Sequence, residues 1–196
     1  MGDLLQKFRR YKEVSKVSRI ARRYLVMNGF DGILVFLGLL VGMYLSEIKE
    51  PTLIIFTSLS TFLAVAISGF VGTFVAEKAE REKEIRSLER AMLRNLSNTI
   101  IRDAARFACF YSALVAAISP MLFAFIPMIP IFLTTLGLLN FDTAFFISIS
   151  LALIILFFLG IFLGKISEEN KLLWGIKLLI LGCLTLLILF LVKNFP

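Results

Sequence analysis

The sequence predicts an all-α, polytopic membrane protein with five transmembrane helices. Hydrophobic residues make up 59% of the 196 residues, and the mean hydropathy is +0.90. A water-soluble domain of this length could not bury so much apolar surface. Five apolar stretches each have about the 20 residues that are needed to cross a bilayer. They cover approximately residues 24–46, 52–77, 105–133, 142–164 and 171–193.

The distribution of charge predicts the orientation of the five spans. Residues 1–23 and 78–106 together hold 16 of the 21 Lys and Arg residues, and five spans place both segments on the same side of the membrane. The turn at 165–171 adds Lys165 and Lys171 to that side. Because positively charged loops stay in the cytoplasm, we expect a cytoplasmic N-terminus and a C-terminus outside. Basic segments that flank apolar spans favour contact with lipid headgroups over nucleic acid.

The first 23 residues combine cations with apolar residues at helical spacing, among them Leu4, Phe8 and Tyr11. This pattern predicts a basic amphipathic helix, residues 1–23, lying at the inner membrane surface. A mobile basic tail is the alternative. The five-span membrane domain, residues 24–196, follows it.

A second charged segment, residues 78–104, separates the second and third spans. It contains neither Gly nor Pro, so we expect a helix that continues the second span into the cytoplasm. Glu77 and Arg81, like Glu82 and Arg86, are spaced i,i+4 and form favourable pairs on such a helix.

Several classes of function are excluded by what the composition lacks. Histidine is absent, and the two cysteines, Cys109 and Cys183, lie in apolar stretches. No spacing indicates a disulfide framework or a zinc site, and no catalytic motif occurs. We therefore expect no enzyme activity and no bound cofactor.

Asp31 is the first candidate functional residue, because it lies within an apolar span. A carboxylate there costs several kcal/mol and is usually kept for a proton, an ion or a partner charge. Met27 and Asn28 precede it by four and three residues and share its helix face. The three side chains offer a carboxylate, an amide oxygen and a thioether, and the thioether favours a transition metal. The alternative is an Asp that pairs with Arg22 or Arg23, or bonds backbone amides.

Three glutamates at the end of the second span form a second candidate site. Glu77, Glu80 and Glu84 are spaced i, i+3, i+7 and share one helix face. Their carboxylates repel one another unless a cation binds, and carboxylate oxygens suit Mn(II), Mg(II), Ca(II) or Fe(II). The alternative is a solvated charged helix whose Lys and Arg neighbours neutralise the glutamates.

Proline and glycine patterns leave two questions open. Pro120, Pro127 and Pro130 interrupt the third span and free backbone carbonyls, which fits either a pathway lining or a packing kink. Two small-residue motifs, at 38–42 and 160–164, permit close helix contact within a protomer or across a dimer.

The chain resembles the vacuolar iron transporter family in several segments. The match is carried by a first-span Asp-Gly motif with the small-residue stretch after it, by the end of the second span, and by the start of the last span. These segments are residues 28–34, 38–42, 72–77 and 174–182. The order and number of spans also fit that family.

This resemblance implies a homodimer with a metal pathway between its protomers. It implies export of Fe(II), and often Mn(II), from the cytoplasm in exchange for protons, so the metal is substrate rather than cofactor. Asp31 would be the membrane-embedded ligand and proton site, and Glu77 would lie at the cytoplasmic mouth. The location would be the cell membrane in a prokaryote and an organelle membrane otherwise.

Two departures from the family pattern matter for function. The family usually has Met four residues before the Glu, where this chain has Thr73; we hypothesise that Met27 supplies the thioether instead. Well-known members also insert a Glu-rich domain between the second and third spans, where this chain has only about 27 residues. Glu80 and Glu84 are either a reduced version of that domain or unrelated to it. A non-transporting membrane sensor or scaffold is therefore the alternative function.

Overall fold

The computed structural model describes residues 11, 15, 17–97 and 99–193. These residues contain five helices that are long and apolar enough to cross a membrane, and no strand. The helices are α1 (Val17–Leu45), α2 (Pro51–Met92), α3 (Ile100–Thr135), α4 (Phe141–Ile166) and α5 (Lys171–Lys193). The predicted all-α, multi-pass membrane fold is confirmed.

The predicted N-terminal helix lies mostly outside the described residues. Where it is described, its end differs from the prediction, because residues 17–23 already belong to α1 and continue into the first span. The boundary expected at residue 24 is therefore not a helix boundary. No Gly or Pro occurs between Val17 and Asn28 to end the helix there.

The first helix is the centre of the fold and contacts each of the other four helices. One core cluster packs Phe36 and Leu40 of α1 against Phe62 of α2, Met128 of α3 and Phe145 of α4. A second cluster joins α1 to α4 and α5. Most remaining apolar side chains of α2, α4 and α5 face outward, as expected for helices that are solvated by lipid tails.

Two glycines bring α1 into close contact with α3. A Cβ atom built on Gly32 would lie 2.5 Å from both the Cα and the carbonyl oxygen of Pro120, and one on Gly29 would lie 2.5 Å from the ring of Phe123. Real Cβ atoms do not approach other atoms so closely. Because the atoms facing Gly32 are backbone, only glycine allows this crossing.

The two small-residue motifs have different roles. Gly160 and Gly164 of α4 pack against the start of α5, where Cβ atoms would clash with Trp174 and with Lys171. This motif therefore serves packing within one chain. A Cβ atom on Gly38 or on Gly42 would meet nothing within 4 Å, so the α1 motif is not used inside the described chain.

The prediction that a helix continues the second span is confirmed as far as Met92, but its extension to residue 104 is wrong. The second helix ends at Met92, and α3 begins only at Ile100. Leu93 adopts a left-handed conformation with φ of 50°, and its N–H donates to the Glu89 carbonyl. The Glu89 side chain also accepts from the Leu96 N–H at 2.9 Å. Leu96 is buried against α2 and α3, and this burial offsets the strain of a left-handed leucine.

An exposed ion pair connects the loop after α1 to the start of α4. Lys49 Nζ lies 2.7 Å from Asp142 Oδ1 and also lies over the ring of Tyr44. The hydrogen bond that Lys49 donates to the Asp142 carboxylate raises the pKa of Lys49. Because both side chains are solvated, the pair adds little stability. Its main effect is to hold the loop near the stacked rings of Tyr44 and Phe145.

The close contact at Gly32 generates the first testable prediction. Replacing Gly32 with Ala forces α1 away from the Pro120 backbone, which should destabilise the fold by about 1–3 kcal/mol. Gly72→Ala is the matched control, because a Cβ there meets nothing within 4 Å. Size-exclusion chromatography after heating the detergent-solubilised protein should show a lower midpoint for Gly32→Ala alone. Equal midpoints would contradict the assigned contact.

Candidate functional site

Asp31 lies at the midpoint of α1 and is exposed on the surface of the single chain. Met27 lies one turn away and is 54% exposed, so both side chains are on the outer face of α1. A charged carboxylate that faces hydrocarbon at this depth costs about 3 kcal/mol or more. Within the described residues no side chain is shown to pair with Asp31. Asp31 is therefore exposed and unpaired within the part of the chain that the structure describes.

Asn28 is half-buried between α1 and α2. Its side-chain nitrogen donates to the Tyr24 carbonyl oxygen at 2.9 Å. Its side-chain oxygen lies 3.6 Å from the position that a Cβ on Gly69 would occupy. The absence of a side chain at Gly69 leaves room next to this amide oxygen, which is directed toward α2.

A backbone carbonyl on α3 lies at the same level. Pro120 has no N–H, so the carbonyl of Ala116 four residues earlier receives no helical hydrogen bond from it. The Ala116 oxygen lies 3.4 Å from the same Cβ position on Gly69. The Asn28 amide oxygen and the freed Ala116 carbonyl oxygen therefore both lie next to Gly69. Asn28 itself lies about one helical turn before Asp31. Sequence reasoning noted the proline but did not identify Ala116 or Gly69.

Glu77 is only 3% exposed and is surrounded by partners. The Tyr24 hydroxyl donates to Glu77 Oε1 at 3.1 Å, and Arg81 Nε lies 3.4 Å from Oε2. Arg81 also donates to the Ser15 carbonyl oxygen at 3.4 Å. The predicted i,i+4 pair of Glu77 and Arg81 is confirmed. Its burial means that removing either partner would strand a charge.

A row of polar side chains runs from Glu77 to Asp31. Tyr24, Asn28 and Asp31 follow one another at i, i+4 and i+7, so they share one face of α1. The distance from Tyr24 to Asp31 along the axis is about 10 Å at 1.5 Å per residue. Beyond the basic first turns of α1, which hold Arg19, Arg22 and Arg23, this row interrupts an otherwise apolar stretch of the helix.

Glu80 and Glu84 are both exposed and do not join Glu77. Glu84 borders a cavity of about 360 Å³ that Arg81 also lines. No group of three or more Asp, Glu, His or Cys residues in the described chain is arranged to hold a metal. A single protomer therefore offers separate candidate ligands rather than a closed metal centre.

Comparisons with known proteins identify the family of this chain. The model of the VIT family matches residues 22–102 and 88–193, which together cover most of the chain. The chain is 34% identical over 170 residues to an uncharacterized protein of Methanocaldococcus jannaschii, and the match covers 85% of each chain. No solved structure matches. The chain belongs to the VIT family, the vacuolar iron transporters, which move metal ions across membranes and are not enzymes.

Proposed function

We propose that this protein exports Fe(II) or Mn(II) from the cytoplasm in exchange for protons, through a pathway between the two protomers of a homodimer. The observation that carries this proposal is the exposure of Asp31 at the midpoint of α1. A carboxylate at that depth requires a polar partner, and none within the described chain is shown to pair with it.

A second copy of the chain supplies that partner most simply. Met27, Asp31, Gly38 and Gly42 lie along one stripe of α1, and a Cβ on either glycine would meet nothing within 4 Å in the described part of the chain. Small residues at such spacing let two membrane helices approach closely. A twofold axis along this stripe would bring each Asp31 near its copy, because residues on the axis of a dimer meet themselves.

Two Asp31 carboxylates and two Met27 thioethers would then line the pathway. Like charges at close range cannot both remain ionised without a counter-cation, so the pair binds either a divalent metal or protons. The thioether selects transition metals over Mg(II) and Ca(II), and the carboxylates suit Mn(II) and Fe(II). Because metal ligands must be deprotonated, metal and protons compete for one site, which is the basis of exchange.

Glu77 would receive the metal before it reaches Asp31. In the metal-free chain Arg81 and Tyr24 neutralise and solvate this carboxylate. An incoming dication would compete with Arg81 for Glu77 and would then pass along Asn28 and the adjoining Ala116 carbonyl. Glu80 and Glu84, which are exposed on the same helical extension, would attract cations to the mouth.

A membrane sensor or scaffold is the second candidate. The observation that favours it is the ion pair between Glu77 and Arg81. If no metal displaces Arg81, this pair has only a structural role. This alternative predicts that the protein binds a partner but sustains no metal flux.

The first functional prediction concerns Asp31. Asp31→Asn should lower Fe(II) and Mn(II) flux into proteoliposomes at least tenfold, because even groups that only support a metal ligand contribute about 10–100-fold. Metal uptake should also no longer collapse an imposed pH gradient. Asp103→Asn is the control, since Asp103 is an exposed carboxylate in the first turn of α3. Wild-type flux in Asp31→Asn would remove Asp31 from the pathway.

The second prediction tests the interface. In a background of Cys109→Ala and Cys183→Ser, Gly38→Cys should form a covalent dimer on mild oxidation, because disulfides need Cα atoms within about 7 Å. Leu187→Cys on α5 is the control, since Leu187 is 59% exposed and lies away from the stripe. Cross-linking of Leu187→Cys instead would place the interface elsewhere. A monomeric mass for the native protein would show that there is no such interface.

The third prediction separates the roles of Glu77 and Arg81. Arg81→Gln removes a cation that competes with the metal, so the apparent metal affinity should rise about tenfold or more. Glu77→Gln should lower it, and Arg90→Gln, which changes an exposed cation further along α2, should leave it unchanged. Flux measured against metal concentration gives these affinities. An unchanged affinity in Arg81→Gln would show that metal does not displace the Glu77–Arg81 pair.

A further inference from the structure

A cavity of about 520 Å³ lies between the end of α2 and the start of α3, apart from the polar row of α1. Four cations line it, namely Lys78, Arg81, Arg102 and Arg106, and Glu82 is the one acidic residue among its lining side chains. This excess of positive charge excludes a metal cation. The cavity is therefore not part of the proposed metal pathway.

Three of the four cations have no acidic partner in the part of the chain that the structure describes. Arg81 pairs with Glu77 at 3.4 Å, whereas no ion pair within 4.0 Å involves Lys78, Arg102 or Arg106. Arg102 is half-buried, and Lys78 and Arg106 are exposed. Their mutual repulsion is relieved when an anion enters the cavity.

The cavity changes from polar to apolar along its length. Phe74 and Cys109 line its apolar end, where α2 leaves its apolar span and α3 enters one. Beyond them the ring of Phe70 lies 5.8 Å from that of Phe110, and Phe110 is 54% exposed. Cations at the end of a span with exposed aromatic rings beneath them match a phospholipid, whose phosphate lies at the interface and whose acyl chains lie below it.

We propose that this cavity binds a phosphate-bearing anion, which in the membrane is the headgroup of an anionic phospholipid. The guanidinium groups of Arg102 and Arg106 suit bidentate contact with phosphate oxygens, and Lys78 adds a third cation. A zwitterionic headgroup fits less well, because its quaternary ammonium would meet the same cations.

The test is native mass spectrometry of the full-length protein released from detergent that contains phosphatidylglycerol or phosphatidylcholine. The wild type should retain phosphatidylglycerol in preference to phosphatidylcholine. Arg102→Gln combined with Arg106→Gln should lower that retention about tenfold or more, since each cation near an anionic headgroup strengthens binding several-fold. Lys165→Gln combined with Lys171→Gln is the control, because it removes two exposed cations on the same predicted side, outside the cavity.

Equal retention of the two lipids by the wild type would overturn the proposal. So would wild-type retention in the Arg102/Arg106 variant, or an equal loss in the control, which would show attraction by diffuse charge only. If the double variant does not remain monodisperse, Lys78→Gln replaces it, because that side chain is exposed. Inorganic phosphate added to the wild type distinguishes the sources. If phosphate displaces phosphatidylglycerol, the cavity recognises the phosphate group alone. If phosphatidylglycerol stays bound, the cavity recognises the whole lipid headgroup.

Discussion

The cost of placing a charge in hydrocarbon is the constraint on which the rest of this structure depends. The acids Glu77 and Asp31 satisfy this constraint in opposite ways. Glu77 is satisfied inside the chain, by Arg81 one turn away and by the Tyr24 hydroxyl from a neighbouring helix. Asp31 is not shown to be paired inside the described chain and faces outward. Glu77 has partners within the described chain and Asp31 is not shown to have one, which is why the proposed function centres on Asp31.

The position of Asp31 depends on how α1 crosses α3. Gly32 is in contact with the backbone of Pro120, and this contact holds the neighbouring residue of α1 at a defined depth. Pro120 also leaves the Ala116 carbonyl without its helical donor, next to the space that Gly69 provides for the Asn28 side chain. Glycine and proline thus have linked roles here. The glycines allow three helices to approach, and the proline supplies an oxygen where they meet.

The charges of the chain divide between two regions that favour opposite ligands. The polar row on α1 presents acids and neutral oxygens, which suit a cation. The cavity between α2 and α3 presents mainly Lys and Arg, which suit a phosphate-bearing anion. Arg81 lies at the boundary, because it lines the cavity and also pairs with Glu77. Arg81 would therefore separate the proposed metal pathway from the proposed lipid contact, so the charge state of one region would affect the field in the other.

The sequence by itself determined the five spans, because length and hydropathy are local properties. It also predicted the Glu77–Arg81 pair, because i,i+4 neighbours meet on any helix, and it showed Asp31 to be an acid within an apolar span. Tertiary structure decided what depends on distant residues. The second helix ends at Met92 because Leu96 is buried against Ile85 and Ala105. Asn95 and Ser97 are residue types that favour turns, but the helix prediction rested on the absence of Gly and Pro alone. The similar glycine motifs on α1 and α4 have different roles, because in the described chain only the α4 motif packs against another helix. Only the tertiary structure shows this difference. The contact of Tyr24 with Glu77 spans 53 residues, and no local pattern predicts it.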